Sequence, residues 1–224
     1  MTASATGLDR SAAVTRSLLG WGVVAGPFYV VVGLVLAITR PGFDLSRHAL
    51  SLLTLGDLGW LQRSNLAVTG LMVIAAALGI LRAIRNGRGL AIGVLTAVDG
   101  LALVLSAVFV PDPVTGFPPG SQGGVMNAGG ILHLVFGALG FLAIAAASVA
   151  HGAWCRSIGD ARSGTVSFAL GAVVVLGFFC GAALASSPVG IALLWLAVLA
   201  QFAWLALASA QIYRWSPHPL YALR

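Results

Sequence analysis

The chain has 224 residues, 59% of them hydrophobic and only 8% charged, and that is too little charge to cover the surface of a water-soluble domain of this length. Its formal charge of +6 comes entirely from arginines over aspartates, since lysine and glutamate are absent. Those arginines sit at the ends of apolar runs rather than along a basic stripe, so nucleic acid is excluded as a partner and a lipid bilayer is implied.

Residues 1–17, "MTASATGLDRSAAVTRS", are small and polar and read as a disordered N-terminal segment. The apolar run that follows, about 18–39, is too long for a signal-peptide core and lacks a small-x-small cleavage site, so it reads as a retained first span. Five more runs follow at about 61–81, 90–110, 130–151, 164–185 and 189–213. Each is long enough to cross about 30 Å of hydrocarbon as a helix. None alternates with the period of a strand, and all are apolar on every side. The expectation is an all-α integral membrane bundle of six transmembrane helices over 18–213, with a short tail at 214–224.

Orientation follows from arginine counting. The N-terminal segment, the second and fourth loops and the tail hold Arg10, Arg16, Arg82, Arg85, Arg88, Arg156, Arg162, Arg214 and Arg224. The remaining loops hold Arg40, Arg47 and Arg63. Nine against three places both termini in the cytoplasm of a cell membrane and turns loops one, three and five outward. Trp21, Trp60, Trp154 and Trp215 lie near span ends, where an amphipathic ring favours the headgroup region. Pro27 predicts a kink in span one. The G-x-x-x-G pairs Gly22/Gly26, Gly89/Gly93 and Gly177/Gly181 predict close helix contacts. Cys155 and Cys180 lie at different depths, which argues against a disulfide, and neither is assigned chemistry.

The first outer loop, "FDLSRHALSLLTLGDLGW" at 43–60, concentrates polar groups that the rest of the chain lacks. At helical spacing Asp44, Arg47, His48, Ser51 and Thr54 form one stripe, and Leu45, Ala49, Leu52 and Leu53 form the opposing one. A short interfacial helix is predicted, with Asp44 as its N-cap. Its polar stripe either faces water or roofs a cavity between the spans. In the third loop, Asp112 stands between Pro111 and Pro113, and Gly116, Pro118 and Pro119 surround Phe117, so this loop is expected to form a defined cover. His133 lies about one turn inside span four, at a depth compatible with pairing to Asp112. Asp99 and Gln201 fall near mid-membrane, where a proton relay or a buried structural bond between them is the choice.

Taken together, "RPGFDLSRHALSLLTLGDLGWLQ" at 40–62, "PDPVTGFPPG" at 111–120 and "GGILHLVFGALGFL" at 129–142 resemble the domain-of-unknown-function family DUF998. The resemblance spans nearly the whole chain and implies a six-helix membrane protein without an assigned activity. It points to Arg40, Asp44, Arg47, His48, Ser51, Asp112, Gly116, Phe117, Pro118 and His133.

Two functions from different classes fit these residues. In the first, Arg40 and Arg47 hold an anionic lipid or small amphiphile at a polar outer site formed with Asp44, His48, Ser51, Asp112 and His133. In the second, His48, Asp112 and His133 hold a metal that activates water for hydrolysis, or Ser51 and His48 form a nucleophile pair. A proton-coupled transporter would rest on Asp99 alone and lacks an inverted repeat. No catalytic set, cofactor or oligomeric state is assigned.

Overall fold

The computed structural model describes residues 9–124 and 126–219 and contains six long helices. They are α1 (Arg10–Thr39), α2 (Gly59–Ala83), α3 (Gly87–Val108), α4 (Ala128–Ser157), α5 (Ala161–Ala183) and α6 (Pro188–Trp215). All six are long and apolar enough to cross a membrane. Large apolar side chains such as Ile38, Val108 and Leu176 are exposed around the outside, as a lipid-facing surface requires. Residues 1–8 of the expected disordered segment, and Arg224, lie outside the described residues. Residues 10–17 do not belong to that segment: they form the first turns of α1, because Asp9 caps them by accepting from the backbone of Ser11 and Ala12.

Most boundaries are set by local chemistry. Asn86, Asn127, Asp160 and Ser187 cap α3, α4, α5 and α6 through side-chain oxygens. Pro188 stands in the first turn of α6, where its missing N–H costs nothing. Between α4 and α5, Gly159 takes a left-handed φ of 85° while the Asp160 N–H reaches back to the Cys155 carbonyl. The chain thus reverses in three residues, and no longer loop is needed.

Each helix packs on the next in sequence, and α6 returns to α1, so the contacts close a ring. The first and last described residues meet, with the Asp9 N–H donating to the Pro219 carbonyl at 3.2 Å. We call this the terminal end and the opposite one the distal end. Small residues let the backbones approach. A methyl group on Gly70 of α2 would stand 2.5 Å from the Gly100 carbonyl of α3, and the reverse substitution would be as tight. Gly22 and Gly26 face Ser209 and Phe202 of α6, and Gly177 and Gly181 also face α6. Gly89 differs from its predicted role, lying against Ile84 of its own connection.

Other expectations are corrected. Trp154 is only 2% exposed and belongs to the core, whereas Trp60 and Trp215 are exposed near helix ends. Trp21 is exposed further along α1, which begins earlier than expected. Both cysteines are free, Cys155 buried and Cys180 exposed.

The predicted interfacial helix at 44–54 does not form. Residues 45–47 make a turn, and a 3₁₀ helix follows at Leu50–Thr54. The reason lies in two local bonds. The Asp44 carboxylate is occupied by the Ser46 N–H and hydroxyl, and the Asp44 N–H donates to His48 Nδ1 at 2.9 Å. The expected polar stripe is therefore split: Asp44 and Arg47 are exposed, while His48 and Thr54 are buried.

Candidate functional site

The distal end is closed by loops one and three acting together. Phe117, fully buried, sits edge-on to Phe43 at 5.3 Å and against His48 at 5.2 Å. Isolated bridges Val114–Phe117 and Thr115–Gln122 hold the third loop as a tight hairpin, with a cis bond between Phe117 and Pro118. Arg40 straps this cap, since its guanidinium donates to the Leu55 carbonyl.

Beneath the cap lies a cavity of about 960 Å³. Of the predicted outer residues, Arg47, His48, Ser51, Asp112 and His133 line it, and Arg40 and Asp44 do not. Both mid-helix residues, Asp99 and Gln201, line it as well. Between these two polar levels the walls are apolar, with Leu103 of α3, Phe136 and Phe141 of α4, and Leu194 and Val198 of α6.

At the mouth, each polar group has a definite local state. Arg47 stands 3.6 Å from the Asp44 carboxylate with its side chain 77% exposed, a weak pair that leaves the guanidinium free to bind. His48 is held below the usual histidine range, chiefly by burial. Because its Nδ1 accepts from Asp44, the neutral ring carries its proton on Nε2. His133 Nδ1 lies 2.8 Å from the Phe109 carbonyl, which can only accept, so Nδ1 carries the proton there. That bond satisfies the end of α3 from α4.

Asp112 does not pair with His133. Its carboxylate accepts from the backbone and side chain of Asn127, the residue that caps α4. Gly130 makes this possible, because a methyl group there would stand 1.9 Å from an Asp112 oxygen. Among the described residues, no three His, Cys or Asp groups gather closely enough to hold a metal ion, so His48, Asp112 and His133 do not form the predicted set. Nor does a hydrogen bond join Ser51 to His48 among those residues.

The floor differs. Asp99 is 3% exposed, and its Oδ1 lies where a methyl on Gly140 would come within 3.1 Å. Neither the expected bond to Gln201 nor any other hydrogen bond to Asp99 is present among the described residues. Gln201, also 3% exposed, has its Oε1 buried without a partner. Tyr29 of α1 completes the floor and accepts from Gln62 at 3.4 Å.

Sequence reasoning passed over a second polar cluster, at the terminal end. His151 lies one turn before Cys155 on the same face of α4, and this i, i+4 spacing is the signal that was available. His151 Nδ1 meets the Ser167 hydroxyl at 3.0 Å, Trp204 Nε1 donates to the same oxygen at 2.7 Å, and that hydroxyl donates to the Ser148 carbonyl. Cys155 in turn donates to Gln211, which donates to Asp160 at 2.6 Å. This chain ties α4, α5 and α6 and borders no described part of the cavity lining.

Six membrane-length helices with a cavity reaching from one end to the middle of the spans define a multi-pass membrane protein. The chain belongs to the family described as "Protein of unknown function (DUF998)", which matches residues 23–211. No curated protein and no solved structure matches it.

Proposed function

We propose that the protein binds an amphiphile, whose headgroup lies at the distal mouth and whose chain runs down the cavity. The build of the cavity carries this reading. At about 960 Å³ it is at the upper end of small-molecule sites, and its walls are apolar between two polar levels. A cavity of that size leaves its lining short of packing contacts, which a bound chain supplies. Arg47 supports an anionic headgroup by a charge-assisted hydrogen bond, with His48 Nε2–H and Ser51 as neutral donors nearby. Arg40, engaged on Leu55, acts on the cap rather than on the headgroup.

Both termini are read as cytoplasmic and the mouth as facing outward from a cell membrane. The supporting observation is the crowding of Arg10, Arg16, Arg82, Arg85, Arg88, Arg156, Arg162 and Arg214 toward the terminal end.

Gly137 provides the test. It lines the cavity, and a Cβ built on it meets nothing within 4 Å, so Gly137→Leu has open space at its base from which to occupy the cavity. The substitution also removes a helix-interior glycine, which favours folding by about 0.8–1 kcal/mol. Organic extracts of the purified wild type are expected to contain a stoichiometric amphiphile that is depleted in Gly137→Leu. Equal amphiphile content in both proteins rejects the reading.

A further inference from the structure

The floor of the cavity brings together Asp99, Gln201 and the Tyr29 hydroxyl. Asp99 and Gln201 reach it from different helices and each is 97% buried; Asp99 makes no hydrogen bond among the described residues, and the Gln201 Oε1 beside the floor is buried without a partner. Burying an oxygen acceptor without a donor is unfavourable, and more so for a carboxylate. The floor's own donors, the Tyr29 hydroxyl and the Gln201 amide, make no bond to Asp99 among the described residues, and Arg47 and His48 are at the mouth. Asp99 lies about nine residues before the end of α3, roughly 14 Å along its axis, beyond the reach of those side chains. Gly140 leaves the Asp99 carboxyl room to sit at the α3–α4 boundary facing the void. The Asp99 carboxyl is thus open to a donor carried by what occupies the cavity.

We infer that the floor recognises a hydrogen-bond donor, a hydroxyl or an ammonium group, carried at the far end of the bound amphiphile and received by Asp99 and Gln201. The ligand is then polar at both ends and apolar between, matching the mouth, walls and floor in order. This rests on the amphiphile reading above and specifies the class of molecule.

The probes are dodecanoate and its ω-hydroxy, ω-amino and ω-methoxy derivatives, measured by competition on the full-length detergent-purified protein with native mass spectrometry. The ω-methoxy compound carries an acceptor but no donor. The wild type is expected to favour the ω-hydroxy or ω-amino compound over ω-methoxy by about tenfold, the value of a charge-assisted hydrogen bond or less. Preference for the amine identifies an ion pair with Asp99, and preference for the alcohol identifies a hydrogen bond. Asp99→Asn should erase the amine's advantage, and Gln201→Leu should reduce the advantage of both donors. Equal affinity for all four probes in the wild type overturns the inference, even if Gly137→Leu still abolishes their binding and so preserves the amphiphile reading. If none of the probes binds the wild type, this inference is also overturned. The wild-type ranking decides without any variant, so a poorly folding substitution leaves the test intact.

Discussion

Two buried polar regions of this protein are built in opposite ways. At the terminal end, Asp160, Gln211, Cys155, His151, Ser167, Trp204 and the Ser148 carbonyl pass hydrogen bonds from one helix to the next. The single Ser167 hydroxyl proton goes to Ser148, so His151 must donate from Nδ1, which fixes its ring. Arg16 adds a clasp between α1 and α6, lying 3.8 Å over the Tyr213 ring and donating to the Tyr213 and Ser216 carbonyls. At the floor of the cavity, by contrast, Asp99 and the Gln201 oxygen are equally buried yet answered by nothing. Polar groups that hold membrane helices together are paired with one another. On the proposed reading, the Asp99 carboxyl at the cavity floor is left for a group that the ligand brings.

The largest expected effect tests this contrast directly. Ser167→Ala leaves the Trp204 N–H and the His151 N–H without their acceptor, at a cost of about 3 kcal/mol from orphaned buried donors. Asp99→Asn breaks no hydrogen bond and removes a buried ionisable group, so unliganded stability should change by less than about 1 kcal/mol or rise. Unfolding in mixed micelles with increasing dodecyl sulfate measures both. If Asp99→Asn proves as damaging as Ser167→Ala, the floor is structural and the contrast fails.

A smaller effect separates the two carboxylates that lie against glycines of α4. Gly130→Ala drives a methyl into Asp112, whose carboxylate can move only by giving up its bonds to Asn127, so about 1–2 kcal/mol should be lost. Gly140→Ala meets Asp99 at a milder 3.1 Å, and that side chain can turn into the cavity. Here the helix-propensity gain of alanine should offset the contact and leave stability near the wild type. Comparable losses at both positions would show Asp99 to be held as firmly as Asp112.

How much of this was legible in the sequence varied with the kind of interaction. Span number and approximate limits follow from apolar run length, because the hydrocarbon thickness imposes it. The membership of Arg47, His48, Ser51, Asp112 and His133 in one lining was suggested by their shared outer level. Their pairings were not, since a partner across helices depends on rotation about each axis, which an all-round apolar helix does not encode. Asp112 thus went to Asn127 and His133 to Phe109 rather than to each other. Loop one was misread as a helix because Asp44 and Ser46 offer the backbone a competing turn. The His151–Cys155 spacing, and the stripe of Gln62, Asn65 and Thr69 buried in α2, were readable but hidden within runs treated as uniformly apolar.

The smallest effect concerns the cap, where a titrating group bridges the two loops. His48 faces Asp44 and Arg47 from its own loop and Phe117 from the third, and burial is the chief cause of its lowered pKa, with Asp44 opposing. The folded ring therefore binds a proton less readily than the unfolded one, whose ordinary value is about 6.5. Between the folded value and about 6.5 the unfolded chain carries more protons, so this contribution to stability is complete above about pH 6.5 and declines as pH falls below it. His48→Asn keeps an acceptor for the Asp44 N–H and removes the titration. The variant should melt lower than the wild type at neutral pH, having lost ring contacts with Phe43 and Phe117. Its melting temperature should nevertheless fall less between about pH 7.5 and about pH 5.5. Parallel pH profiles would mean that the cap does not sense the charge on His48, and that the mouth keeps one state across the range.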